Sequence, residues 1–120
     1  MIEIWTTSLS RWREAERLQI PLLDITAKSG IKAFAPDYKL VMDYKANLIT
    51  EAYYEQKYIE RMRSSFSLYP DIWSTLKNKP QVALACYCGA GKYCHRHVFK
   101  ILMEKYLNSV GYSVVQKGEL

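Results

Sequence analysis

Two apolar runs constrain this chain more than anything else in it: IPLLDIT (Ile20–Thr26) and QVALACYC (Gln81–Cys88). A strand that alternates apolar and polar residues buries one face. A continuous apolar run of this length marks a strand covered on both faces, as in a parallel sheet wrapped by helices. Pro21 near the start of the first run is compatible with a strand beginning there. IEIWTT (Ile2–Thr7) alternates and is rich in β-formers, so it reads as a further strand. YSVVQ, after the turn signal at Gly111, reads as a fourth.

Helical patterns separate these strands. SRWREAERL follows the first, with Ser10 as an expected cap. After a loop, AKSGIKAFAP, helices are expected from Asp37 to about Ala46, from Thr50 to about Phe66 and from Pro70 to about Lys77. Thr50 suits a cap and Pro70 a first helical position. The tyrosines and Met62 of the long helix fall at mixed three- and four-residue spacings, which reads as core or amphipathic surface. A last helix is expected from about Cys94 to Ser109. The order β-α-β-ααα-β-α-β predicts a single α/β domain over residues 1–120: three layers, a mainly parallel four-stranded sheet and helices on both faces. The expected strand order is 2-1-3-4, a Rossmann-like arrangement with its switch point between the first and third strands. Ligands in such sheets bind at the C-terminal strand ends beside that point.

The length of 120 residues fits one domain with a real core. No apolar run reaches membrane-spanning length and no signal-peptide pattern opens the chain, so a cytoplasmic protein without a membrane partner is expected. Three cysteines do not make a pure disulfide framework. The net charge of +5 suits an anionic partner. The basic residues are spread and mixed with acids, which favours a solvated basic surface over a nucleic-acid face.

Every cysteine and histidine lies between Cys86 and His97, in CYCGAGKYCHRH. Three chemistries fit this segment. The first is anion or nucleotide binding. A strand, a loop with Gly89 and Gly91, and a helix N-terminus present free backbone N–H groups, and Lys92 and Arg96 add charge. The spacing is neither a Walker loop nor a dinucleotide fingerprint, and the alternative is a plain glycine turn. The second is a reactive thiol. Cys94 in the first turn of a helix, beside His95 and Arg96, has the setting that lowers a thiol pKa, and His95 could serve as acid or base. The alternative is a buried, inert cysteine. The third is zinc on Cys86, Cys88, Cys94, His95 and His97. It is disfavoured because Cys86 is expected well inside the sheet and all donors share one connection. Neither a metal nor a cofactor is therefore expected. At the other strand ends stand Thr6, Thr7 and Ser8, and then Asp24, Thr26, Lys28 and Ser29. A carboxylate at the edge of a buried strand needs a partner, and Arg96 or a ligand is the expected one.

The segment VALACYCGAGKYCHRHVFKILMEKYLNSVGYSV resembles the C-terminal signature of the family of domain of unknown function 488. That signature is a hydrophobic strand, a short loop, Cys-His-Arg, a helix and a final strand. Cys94, His95 and Arg96 match the triplet. Asp24 in LLDIT looks like the family's acidic residue at the end of its second strand. The family's usual Asp-Val-Arg is replaced here by Asp24-Ile25-Thr26, without the arginine. IEIWTTSLS resembles the opening strand and loop, and the chain resembles the compact form found in bacteria and their phages. The resemblance implies a small α/β domain with a polar pocket.

The first functional expectation is a binder of a nucleotide-like or other anionic small molecule. It would use Thr6, Thr7, Ser8, Asp24, Thr26, Lys28, Cys88, Gly89, Gly91, Lys92 and Arg96. The second is an enzyme acting on a nucleoside or nucleotide derivative through Cys94, His95 and Asp24. The third is a phage or bacterial regulatory interaction protein.

Overall fold

The computed structural model describes residues 1–87 and 94–120. Four strands, β1 (Ile2–Ser8), β2 (Leu22–Asp24), β3 (Gln81–Cys86) and β4 (Val114–Glu119), form one sheet, and every pairing is parallel. Among the described residues, five α-helices accompany it: α1 (Trp12–Arg17), α2 (Tyr38–Lys45), α3 (Glu51–Leu68), α4 (Pro70–Ser74) and α5 (His95–Ser109). This is the α/β class that the apolar runs imply. Among the described residues, no helix is long and apolar enough to cross a membrane.

Across the sheet the order is β2-β3-β1-β4. β1 and β3 are the central pair, as expected, in register from Glu3 opposite Gln81 to Ser8 opposite Cys86. The flanks are exchanged relative to the expected order: β2 adjoins β3, and β4 adjoins β1. The connection from β1 to β2, which carries α1, therefore crosses β3. Val82 and Leu84 of β3 join the main core, so Ala83 and Ala85 face the other way, and both are fully buried. Methyl-sized side chains on that face leave room for a close crossover. Right-handed connections then assign α1 to the Ala83–Ala85 face and the later helices to the face with the larger core.

That core contains Ile4, Ile25, Tyr58, Leu76, Leu84, Met103 and Leu107, together with an aromatic group in which Phe34, Trp73 and Phe99 lie within 4.9–5.6 Å of one another. Phe34 comes from the segment read as a loop. Lys32–Phe34 form a 3-10 turn, and Ala33, Phe34 and Ala35 are buried. A buried loop must satisfy its own backbone. Tyr58 Oη donates to Phe34 O at 2.7 Å, Arg61 Nε donates to Ala35 O at 2.9 Å, and Ser65 Oγ donates to Ala33 O. Trp73 Nε1 in turn donates to Ser65 Oγ at 3.0 Å. Ser65→Ala would strand both the Ala33 carbonyl and the indole N–H. A loss of about 1–3 kcal/mol is expected. Urea denaturation of both proteins measures it, and a loss below about 0.5 kcal/mol would show that the hydroxyl is dispensable.

The helix ends follow their local chemistry. Asp37 accepts from Lys39 N–H and Thr50 from Tyr53 N–H, each capping the helix that follows. Pro70 occupies the first turn of α4. Ser10 is not the cap expected of it: Ser8 caps a 3-10 turn, Leu9–Arg11, that precedes α1. β2 is confined to Leu22–Asp24, shorter than the apolar run around it. Between Ile4 and Trp5 the register to β4 shifts, so that Trp5 faces Gly118. Gly118 has φ +93°, a left-handed conformation that glycine adopts without strain. The bulge sets Glu119 opposite Thr6, at the edge of the site.

Candidate functional site

The C-terminal ends of β1, β2 and β3 lie side by side, with Thr7 opposite Ala85 and Asp24 also opposite Ala85. The N-terminus of α5 descends onto them. Cys94 is its N-cap residue in an extended conformation, and His95 and Arg96 form its first turn. All three are buried, Arg96 completely.

His95 is held from both ring edges. Its Nε2 lies 2.5 Å from Ile25 O, just past β2. A carbonyl can only accept, so Nε2 carries the proton and Nδ1 presents a lone pair. Nδ1 faces Cys94 Sγ at 3.4 Å and Tyr54 Oη at 3.3 Å. Burial pushes the imidazole pKa down to about 4, the Ile25 hydrogen bond opposes this, and the charge of Arg96 adds to it. The ring is thus neutral near pH 7. Cys86, the last residue of β3, is joined to Cys94 as a disulfide, with the two Cα atoms 7.6 Å apart. Cys86 sits at the end of the strand, so the expectation that it lies too deep in the sheet to meet the other donors does not hold.

Arg96 does not take the partner expected of it. Its Nε donates to Glu119 Oε1 at 2.9 Å and its Nη1 to Cys86 Sγ at 2.8 Å. Asp24 is engaged elsewhere: Oδ1 accepts from Thr26 N–H at 2.9 Å, and Oδ2 accepts from Ser29 Oγ at 2.7 Å. Partial burial raises the Asp24 pKa, but these hydrogen bonds outweigh it and the net shift is downward. The carboxylate organises its own loop. Ser29 Oγ also meets Tyr87 Oη at 3.0 Å, which ties that loop to the end of β3.

Two sub-regions result. On the β4 side, Thr6 Oγ1 donates to Glu119 at 3.1 Å, Thr7 Oγ1 to Ser8 O at 3.3 Å, and Ser8 Oγ pairs with Ser10 Oγ at 3.0 Å. Thr6, Thr7 and Ser8 are buried and joined to protein partners, and Thr6 shares Glu119 with Arg96. On the β2 side a cleft of about 980 Å³ opens. Of the residues expected at a site, Thr26, Lys28, Cys94 and His95 line it. Cys88, Gly89, Gly91 and Lys92 lie outside the described residues. Sequence reasoning missed the opposite wall, where Tyr38, Val41, Met42, Tyr44 and Lys45 of α2 join Glu51 and Tyr54 of α3. The available signal was the density of tyrosines from Tyr38 to Tyr58, which helical spacing alone assigns to core or surface.

The family model described as the active DUF488-N3 subclade matches residues 13–107. The chain belongs to the DUF488 family. The match spans β2, β3 and most of α5, and it contains the Cys94-His95-Arg96 triplet. No curated protein and no solved structure matches the chain. In this DUF488 protein the triplet splits its work. Cys94 and His95 face the cleft, while Arg96 turns back to join the end of β3 to the end of β4.

Proposed function

We propose that the cleft binds an anionic small molecule with a planar ring, of the nucleotide kind. The observation that carries this reading is the lining of the cleft: four tyrosines (Tyr38, Tyr44, Tyr54 and Tyr87) and two lysines (Lys28 and Lys45), beside the C-terminal ends of parallel strands. Tyrosine rings offer flat apolar faces with polar edges. Tyr44 and Tyr54 already pack at 4.9 Å, and the Lys28 ammonium stands 5.6 Å from the Tyr38 ring centre. Lysines supply the charge that an anionic group needs. Both belong to the described walls, so the reading does not depend on the glycine loop.

Thermal melts with nucleoside monophosphates and with inorganic phosphate test it. A ligand at about 100 times its Kd should add about 2.7 kcal/mol to stability. A nucleotide should do so at lower concentration than phosphate, because the ring adds contacts. Lys28→Glu and Lys45→Glu should abolish the shift. A full panel without a shift, or shifts unchanged in both variants, would sink the reading.

A second reading, catalysis on the bound molecule, is favoured by the pairing of Cys94 Sγ with the bare Nδ1 of His95 at the edge of the same cleft. With the Cys86–Cys94 pair reduced, the neutral imidazole can take the thiol proton as sulfur bonds to an electrophilic carbon and pass it to the group which that carbon expels, the arrangement of an activated cysteine nucleophile. The description "active" attached to the matching subclade is in keeping with this reading.

A further inference from the structure

We propose that Cys86 Sγ, Cys94 Sγ and His95 Nδ1 are three ligands of a thiophilic divalent cation, zinc by preference, whose fourth position opens on the cleft. The three donor atoms lie within 4.8 Å of one another, and all three residues are buried. Cys86, Cys94 and His95 also line the cleft, so a cation among them would have one side toward its interior.

Three independent features favour a cation over plain packing. The first is the histidine tautomer. Ile25 O fixes the proton on Nε2, so Nδ1 is the basic nitrogen, and it is the one turned toward sulfur. A ligating histidine is commonly held in this way, with its far N–H given to a backbone carbonyl. The second is the spacing of the cysteines. Their Cα atoms, 7.6 Å apart, exceed the span of about 4.4–6.8 Å that disulfides usually have. The structure closes this wide gap with a disulfide; once reduced, two thiolates so spaced suit a shared ion. The third is charge. Arg96 Nη1 donates to Cys86 Sγ at 2.8 Å, a charge-assisted hydrogen bond of the kind a metal-bound sulfur accepts. Two buried thiolates and a neutral imidazole balance a divalent ion. The set of two sulfurs and one nitrogen selects zinc over magnesium or calcium, which take oxygen ligands. Three protein ligands with one open position is the pattern of catalytic rather than structural zinc. The inference does not depend on what fills the rest of the cleft. It competes directly with a free Cys94 nucleophile, because a metal-bound sulfur is not available for attack.

The test uses tag-free full-length protein purified without chelator. Elemental analysis should find about one zinc per chain. After removal of zinc and addition of cobalt(II), the spectrum should show thiolate-to-cobalt charge transfer and the d–d bands of a tetrahedral site. Cys86→Ser and Cys94→Ser should each lower metal affinity by more than the roughly 10–100-fold that losing an outer-shell partner costs. Cys88→Ser should keep both the metal and the cobalt spectrum. Should the serine variants misfold, the parent still decides. Zinc should protect Cys86 and Cys94 from iodoacetamide, and chelator should release them. Trace metal with no cobalt bands, a Cys86–Cys94 disulfide in the metal-free isolated protein, equal labelling with and without zinc, or loss of metal in Cys88→Ser would each overturn the assignment. Nucleotide melts that fail while zinc binds would count against the cleft ligand alone.

Discussion

Arg96→Ala is expected to destabilise the fold by roughly 3–5 kcal/mol, the range found when one partner of a buried ion pair is removed. Arg96 is completely buried in the first turn of α5, where its charge opposes the helix dipole. The helix gains nothing from it, so other groups must hold it. Among them, in the described residues, are Glu119 Oε1 at 2.9 Å and Cys86 Sγ at 2.8 Å. Truncation leaves a cavity and removes the guanidinium from both. Glu119 keeps Thr6 Oγ1 at 3.1 Å, and His97 Nε2 lies 3.8 Å away, but neither replaces a guanidinium. Because the Glu119 side chain is 24% exposed, water can reach it in part, which pulls the expected cost toward the lower end of the range. Arg96→Lys should recover little, since a single ammonium cannot reproduce two donors set at the angle of a planar fork. Urea denaturation in chelator, with Glu119→Gln and the double variant completing a cycle, measures the pair. A loss below about 1 kcal/mol, or additive single effects, would show that Arg96 is held by something other than Glu119.

Gly30→Val is expected to cost about 3 kcal/mol or more, the upper end for overpacking. A Cβ at Gly30 would stand 2.4 Å from Thr26 N, 2.5 Å from Thr26 O and 2.7 Å from Asp24 O. All three are backbone atoms, so no side chain can rotate away to make room. They are also the atoms that close the loop: Gly30 N–H donates to Thr26 O at 3.1 Å, and Ile31 N–H donates to Asp24 O at 2.9 Å. The turn beneath Thr26 and Lys28, on the cleft wall, would have to open. Gly30→Ala should show a smaller loss of the same sign. Denaturation midpoints measure both, and a Gly30→Val protein as stable as the parent would mean that the loop closes another way. If the cleft binds nucleotides, the variant that still folds should also bind them less tightly.

The apolar runs at Ile20–Thr26 and Gln81–Cys88 were enough to read a parallel sheet, because a strand without alternation has no face to give to water. The helix caps at Thr50 and the start of α4 at Pro70 were legible for a similar reason, since each satisfies or avoids a backbone hydrogen bond within its own turn. That the start of α5 lies at the C-terminal end of β3 was legible from chain order; its contact with β2, through His95 Nε2 and Ile25 O, depends on β2 pairing with β3. The buried character of Ala33–Ala35 did not, because it depends on Tyr58, Arg61 and Ser65, which lie about one helix away in sequence.

What the sequence determined by itself is therefore local: which segments are strands or helices, where α3 and α4 begin, and that the cysteines and histidines cluster between Cys86 and His97. The tertiary structure decided the rest. It placed β2 outside β3, because Ala83 and Ala85 leave a thin face for the crossover to pass. It set Arg96 against Glu119 instead of Asp24, because a bulge at Gly118 carries the end of β4 to Thr6. It turned tyrosines from α2 and α3 into the wall of a cleft. Each of these outcomes depends on which surfaces meet across the sheet, and no periodicity along a single segment encodes the identity of the surface it will face.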